Sequence, residues 1–384
     1  MGYQIKIPSC IYGGEGSIEN IKIILEKENT KKAVVFTDKG IKSTGLLDIL
    51  LQILEKNKTQ YEVFDDLTPE PSYHDVERVM EQVRDCKGDI IIAIGGGSVM
   101  DAAKLCSVLK DAQYTVKDLL ENPALAKKQM KTIMIPTTCG TGSEATCNAI
   151  VAIPEEQSKK GIVNDDMIPD YVLLDAQMIR NLPKAIIAAT GVDALAHAVE
   201  CFTSKKATPL SDLYAMQGAK LIFKNIREAY SSPDNMEAKN NMLLGAFYGG
   251  VAITGSGTTA VHALSYPLGG KYHIAHGVSN AILFAHVMEF NKEACKERLA
   301  ILCDAVEPKL ISKSIDEKAQ YIIDQIADIV KTTNIPTDLN QFGVKMEDLE
   351  FLVDAGSKQQ RLLVNNMKEL NLDDIRAIYL KVLK

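Results

Sequence analysis

The sequence predicts two domains of different class, an N-terminal α/β domain built on a parallel sheet and a C-terminal domain made only of helices. Short apolar runs alternate with amphipathic helical stretches through the first half of the chain. After Pro183 only long helical patterns follow. No internal repeat or low-complexity linker separates the two, so they are expected to pack around a shared cleft. At 384 residues the chain suits two domains of ordinary size, placed at 1–183 and 184–384.

The strands are read first. Residues 33–37 (AVVFT), 89–94 (DIIIAI) and 132–135 (TIMI) are apolar runs ended by Asp, Gly or Pro, as strands covered on both faces require. Helical patterns at 45–56 and 74–84 lie between them. Ligands on such a sheet bind at the carboxyl ends of its strands. In the second half the helical stretches are 184–202, 209–230, 238–254 and 278–291, with further ones to the end.

Composition narrows the partners. A formal net charge of -7 with no basic stripe excludes the usual nucleic-acid binder. The opening MGYQIKIPSC lacks the apolar core of a signal peptide, and no run reaches the roughly 18 apolar residues of a membrane span. A cytoplasmic protein that uses no membrane is expected, as a homodimer or higher homo-oligomer. The eight cysteines form no C-x-x-C pair, so they are expected to be reduced and most of them core residues. Cys139 lies in a loop motif, but no His near it in sequence argues for a nucleophile.

Two loops point to a phosphate ligand. DIIIAI runs into Gly95-Gly96-Gly97-Ser98 and then a helical stretch through Asp101. Glycines let the backbone approach an anion, and the free N–H groups of the helix start attract one. The pattern is neither G-x-G-x-x-G nor a P-loop. The second loop, 136–144 (PTTCGTGSE), follows TIMI, and its hydroxyls at Thr137, Thr138 and Thr141 could reach phosphate or ribose. Asp38 closes the first strand on the same edge, where a carboxylate accepts from ribose hydroxyls and repels a 2′-phosphate, favouring NAD over NADP. GGEG at 13–16 is set aside because no clear strand–helix frame surrounds it.

A metal site is indicated in the helical half. Asp193 and His197 are four apart on one helix face, in a segment otherwise almost wholly apolar. A buried ionised carboxylate needs a partner, and a divalent cation is one. Three of the six histidines fall between 262 and 276. His262 and His276 complete a set of three imidazoles and one carboxylate, which suits Fe2+ or Zn2+. His273 either lines the cleft or is structural. His74 reads as a surface residue, and His286 as a packed one.

Together these residues resemble the iron-containing (group III) alcohol dehydrogenases. GGGSVMDAAK at 95–104, PTTCGTGSEAT at 136–146, TGVDALAHAVE at 190–200 and the block 262–276 carry the resemblance, in order along nearly the whole chain. It implies a Rossmann-like N-terminal domain, a helical metal-binding C-terminal domain and NAD(P) in the cleft. It also implies metal ligands at Asp193, His197, His262 and His276. The cofactor contacts it implies are Asp38, Gly96, Gly97, Ser98, Asp101, Thr137, Thr138, Thr141 and Lys160. One position departs from the pattern: where many members carry a His four residues after the third ligand, this chain has Tyr266, which leaves the proton relay open.

The expected reaction is hydride transfer between nicotinamide and a small primary alcohol or aldehyde whose oxygen sits on the metal. A second reading is reduction of an anionic aldehyde, sulfonated, phosphonated or carboxylated, with Asn148, Lys160, Tyr266 and His273 as donors. A third is a metal-binding or nucleotide-sensing protein without turnover.

Overall fold

In the computed structural model, residues 2–383 are described, which leaves Met1 and Lys384 outside. Eight strands form: β1 Cys10–Gly13, β2 Lys32–Phe36, β3 Gln60–Phe64, β4 Ile90–Gly95, β5 Lys131–Pro136, β6 Asn148–Ile153, β7 Ser158–Val163 and β8 Tyr171–Leu174. Six make one sheet in the order β1-β8-β5-β4-β2-β3, and every pairing in it is parallel. β6 and β7 pair with each other as an antiparallel hairpin outside that sheet.

The near-continuous apolar runs follow from burial on both faces. Successive side chains of a strand point to opposite faces. Val34, Phe36, Ile91, Ala93 and Met134 therefore pack with the Tyr73–Asp85 and Gly97–Leu109 helices. Ala33, Val35, Ile90, Ile92, Ile94, Ile133 and Ile135 pack on the other side with the Ile21–Lys27 and Leu46–Lys56 helices. β3 leaves β2 on one side and β4 returns on the other, so the crevice where strand order reverses opens between Asp38 and Gly95.

Five strands were not anticipated from the sequence. β1 changes one earlier reading, since GGEG does lie between a strand and a helical turn, with Gly14 and Gly16 at φ 111° and 78°. β1 is an edge strand whose only partner, β8, is about 160 residues away, so no local signal marks it. The loop sits at the far edge of the sheet from β4, and its residues do not line the cleft.

From Lys184 onward the described residues form helices and turns but no strand, as expected of an all-helical second half. The Lys184–Phe202, Pro209–Ser231 and Met236–Ser256 helices pack with the 31-residue His276–Val306 helix around one core. Lys184–Phe202 is long and apolar enough to cross a membrane, but 83% of that window is buried inside the protein. It is the central helix of a core.

The halves meet through glycines that admit backbone against backbone. Gly142, at φ 59°, has room for no Cβ, which would stand 2.7 Å from both the Ala246 carbonyl and Gly250 Cα. The next turn buries Glu144 beside Asp101 and Lys104. Burial raises the Glu144 carboxyl to about 7 from an ordinary 4.5, against the pull of Lys104. A carboxyl raised on folding stabilises most below its unfolded pKa and loses that contribution as pH rises through 7. Glu144→Gln should therefore match the parent protein near pH 5 and exceed it near pH 8 by about 1–3 kcal/mol. Melting temperatures at equal metal content across that range would check it, and a gap independent of pH would refute it.

Candidate active site

Helix periodicity builds the centre of the site. On Lys184–Phe202, Asp193, His197 and Glu200 stand at i, i+4 and i+7, so all three face one way. His262 comes from the Ala260–Tyr272 helix, which ends at His273 in the left-handed conformation (φ 55°). The chain restarts at once as His276–Val306, and that break brings His262 and His276 together although they are 14 residues apart.

The four sequence-predicted groups converge. One ligand atom from each of Asp193, His197, His262 and His276 lies within 4.8 Å of all the others. Asp193 Oδ1 is 3.5 Å from Nε2 of both His262 and His276, and 3.9 Å from that of His197. A tetrahedral ion with bonds of about 2.1 Å separates its ligands by roughly 3.4 Å, so the spacing fits. Asn280 Nδ2 donates to Asp193 Oδ1 at 2.7 Å and lies 3.2 and 3.3 Å from Nε2 of His262 and His276. An amide has two N–H bonds and cannot satisfy this many lone pairs. The deficit is what a cation fills.

Electrostatics agree. Burial opposes charge on Asp193, but the imidazoles of His197, His276 and His262 outweigh it and hold the carboxyl below its usual range. Burial lowers His197 to about 4 and His276 to about 3, which leaves both neutral with free lone pairs. His262 behaves oppositely: despite burial, Glu200 and Asp193 on either side raise it to about 9. A cation at Nε2 would take the place of that proton.

Glu200 and Asn280 were not picked out from the sequence. Glu200 Oε2 bonds His262 Nδ1, while Oε1 accepts from Thr259 N (3.1 Å), Thr259 Oγ1 (2.6 Å) and Val261 N (2.8 Å). The carboxylate thus turns Nε2 of His262 inward. The i+7 step from Asp193, and the i+4 step from His276 to Asn280, were the available signals.

The predicted loops also meet. Gly97 abuts Thr141, whose Cγ2 would be 2.7 Å from a Cβ there, and a Cβ at Gly96 would lie 3.5 Å from Thr138 Cγ2. A cavity of about 460 Å³ runs from Gly97, Ser98, Asp101 and Thr141 past Asn148 to His197, His262, Tyr266 and His276. Ser98 Oγ already accepts from Glu70 N at 3.0 Å. Both oxygens of Asp101 are engaged, by Ser143 Oγ (2.5 Å), Ile150 N (2.9 Å) and the wholly buried Lys104 (2.9 Å). Asp38, Gly96, Thr137 and Thr138 lie on the same edge but outside this cavity. Asp38 Oδ1 caps the Lys39–Ser43 helix through Ile41 N at 2.8 Å.

Two expected residues stand elsewhere. Lys160 is exposed and pairs with Glu156 at 2.5 Å, while its neighbour Lys159 is buried in the cavity wall against Glu70. One residue along a strand reverses the face, so it is Lys159 rather than Lys160 that lines the cavity. His273 is exposed at the helix end and does not line the cavity. Cys139 is fully buried with its thiol raised to about 11, a core residue. His74 is exposed, and His286 is half-buried within its helix.

A buried one-carboxylate, three-imidazole cluster opening on nucleotide-ready loops is the arrangement of a metal-dependent dehydrogenase. Family models agree: "Iron-containing alcohol dehydrogenase" matches residues 8–176, and "Fe-containing alcohol dehydrogenase family, C-terminal" matches 187–383. The chain belongs to the iron-containing alcohol dehydrogenase family and is an oxidoreductase acting on alcohols. It is 34% identical to long-chain-alcohol dehydrogenase 1 of Geobacillus thermodenitrificans over 98% of this chain and 95% of that protein. A crystal structure of 1,3-propanediol oxidoreductase superposes with TM-score 0.95 at 29% identity, covering 100% of both chains. Sulfoacetaldehyde reductase from Bifidobacterium kashiwanohense, solved in complex with NAD+, gives 0.88 at 27% identity over 100% of this chain and 99% of that one.

Glu200→Gln should keep the fold but weaken metal binding about 10- to 100-fold, because the amide no longer fixes the His262 tautomer. Competition with a chelator would measure it, and unchanged affinity would refute the role.

Proposed function

We propose that the protein is an NAD-linked, divalent-metal-dependent alcohol dehydrogenase and aldehyde reductase acting on small primary alcohols and aldehydes. The observation that carries this is the convergence of Asp193, His197, His262 and His276 beside a cavity reaching Gly97. Three imidazoles and a carboxylate suit Fe2+, with Zn2+ the alternative. On this reading the chain divides at 183–184, nucleotide on one side and metal on the other.

Bound metal supplies Lewis acidity, and bound nicotinamide supplies or accepts the hydride. The protein's own part is placement. Glu200 aims His262, and Asn280 steadies Asp193 by its 2.7 Å bond. Gly97 and Ser98, at the start of the Gly97–Leu109 helix, line the cavity, and the free N–H groups and dipole of a helix start favour pyrophosphate. Tyr266 is buried beside the cluster, its ring 6.1 Å from that of His276. Burial raises its phenol against the influence of Arg361, so its hydroxyl keeps its proton and acts as a donor. The relatives' names span a long-chain alcohol, a diol and a sulfonated aldehyde, so family alone does not select the substrate.

His262→Ala should lose bound metal and NADH-dependent aldehyde reduction together. Metal analysis and steady-state assay of one preparation test this, and full activity with unchanged metal content would sink the reading. NAD preference rests on Asp38, whose Oδ2 takes no hydrogen bond from any described residue. Asp38→Gly should raise the NADPH-to-NADH ratio of kcat/KM roughly tenfold or more, by removing repulsion of a 2′-phosphate. A ratio that does not move would give the nucleotide choice to another group.

A further inference from the structure

The cavity carries more positive charge than its own carboxylates match. Lys159 is neutralised by Glu70 at 2.6 Å, and Asp101 by Lys104 at 2.9 Å. Arg361 and Lys206 also line it, and among the described residues neither forms an ion pair. Both side chains are exposed, so their charges stay hydrated, and cleft-lining charge of one sign raises the local concentration of an anionic ligand.

Arg361 is held in place. Its Nη2 would be 2.8 Å from a Cβ at Gly161 on β7, so the guanidinium occupies the space that the missing side chain leaves. The segment bearing it is tied down on both sides. Gln359 Nε2 donates to Ser158 Oγ at 3.2 Å, and Asn365 Nδ2 donates to the Thr258 carbonyl at 2.9 Å. The guanidinium neighbours Tyr266, which in turn neighbours His276, so it stands one side chain away from the metal cluster.

We propose that Arg361 is a specificity-determining residue that receives the oxyanion tail of a short-chain aldehyde, making a carboxylate- or sulfonate-bearing aldehyde a better substrate than its neutral counterpart. A planar guanidinium fork matches either oxyanion with two charge-assisted hydrogen bonds, which a neutral tail cannot accept. The inference rests on the metal-dependent aldehyde reduction proposed above.

Metal-loaded full-length enzyme would be assayed with NADH on two pairs, succinic semialdehyde against butanal and sulfoacetaldehyde against propanal. The anionic member of at least one pair should have the higher kcat/KM, and the responding pair separates carboxylate from sulfonate. Arg361→Met should lower that anionic-to-neutral ratio roughly 10- to 100-fold, mainly through the aldehyde KM, and Arg361→Lys should recover part of it. A wild-type ratio near one in both pairs, equal loss of both members in Arg361→Met, or a loss confined to the KM for NADH would each overturn the inference. Reduction of neutral aldehydes alone would overturn it and leave the broader function standing. Failure to reduce any of the four would overturn the broader function first.

Discussion

The structure depends on keeping an ionised carboxylate inside a helical core. Asp193 is 1% exposed on a helix whose other neighbours are nearly all apolar, where an unpaired charge would destabilise the fold by several kcal/mol. Three imidazoles and one amide surround it, drawn from three helices. That demand explains why the Ala260–Tyr272 helix stops and the next begins within four residues: a continuous helix could not aim both His262 and His276 at one oxygen. It also explains Glu200, a second buried carboxylate, which takes backbone and hydroxyl donors on one oxygen and His262 on the other. Each buried charge is tolerated because the next group answers it.

How much of this was legible depends on whether the signal is local. β2, β4 and β5 are central strands covered on both faces, so their sequences are unbroken apolar runs. β1 and β3 sit at the sheet edges, β8 finds partners only across the chain, and the β6–β7 hairpin lies outside the sheet. β1, β3 and β7 carry no apolar run of comparable strength, whereas β6 (NAIVAI) and β8 (YVLL) do and were legible in principle. The metal cluster was legible because Asp193 and His197 repeat at helical spacing among apolar residues and histidine is scarce. The groups behind it were not, because a lone glutamate or asparagine looks the same whether it faces solvent or a ligand. The exchange of Lys159 for Lys160 has a similar origin, since adjacent lysines on a strand are identical in composition and opposite in direction. Arg361 carries no motif, and only the fold brings it to Tyr266 and Gly161.

The hairpin joins the α/β half to the helical half. Lys104, fully buried, donates to the carbonyls of Ser143 and Asn148 and to Thr146 Oγ1, anchoring the base of β6 to the Gly97–Leu109 helix. At its other end Lys159 rests on Gly269, and Ser158 on Gly270, both on the helix that carries His262. The helix start suited to pyrophosphate is thereby connected to a metal-cluster residue through one hairpin.

The glycine contacts at the seam have a mechanical consequence. Gly142 meets the main chain of Ala246 and Gly250, and Gly140 meets the main chain and Cβ of Thr190, with no side chain on the glycine side of either contact. Side chains can swing to absorb displacement, but main chain touching main chain has no slack. The two halves are pinned there as at a fulcrum, and any breathing that admits or releases a ligand must be largest at the rim farthest from these points.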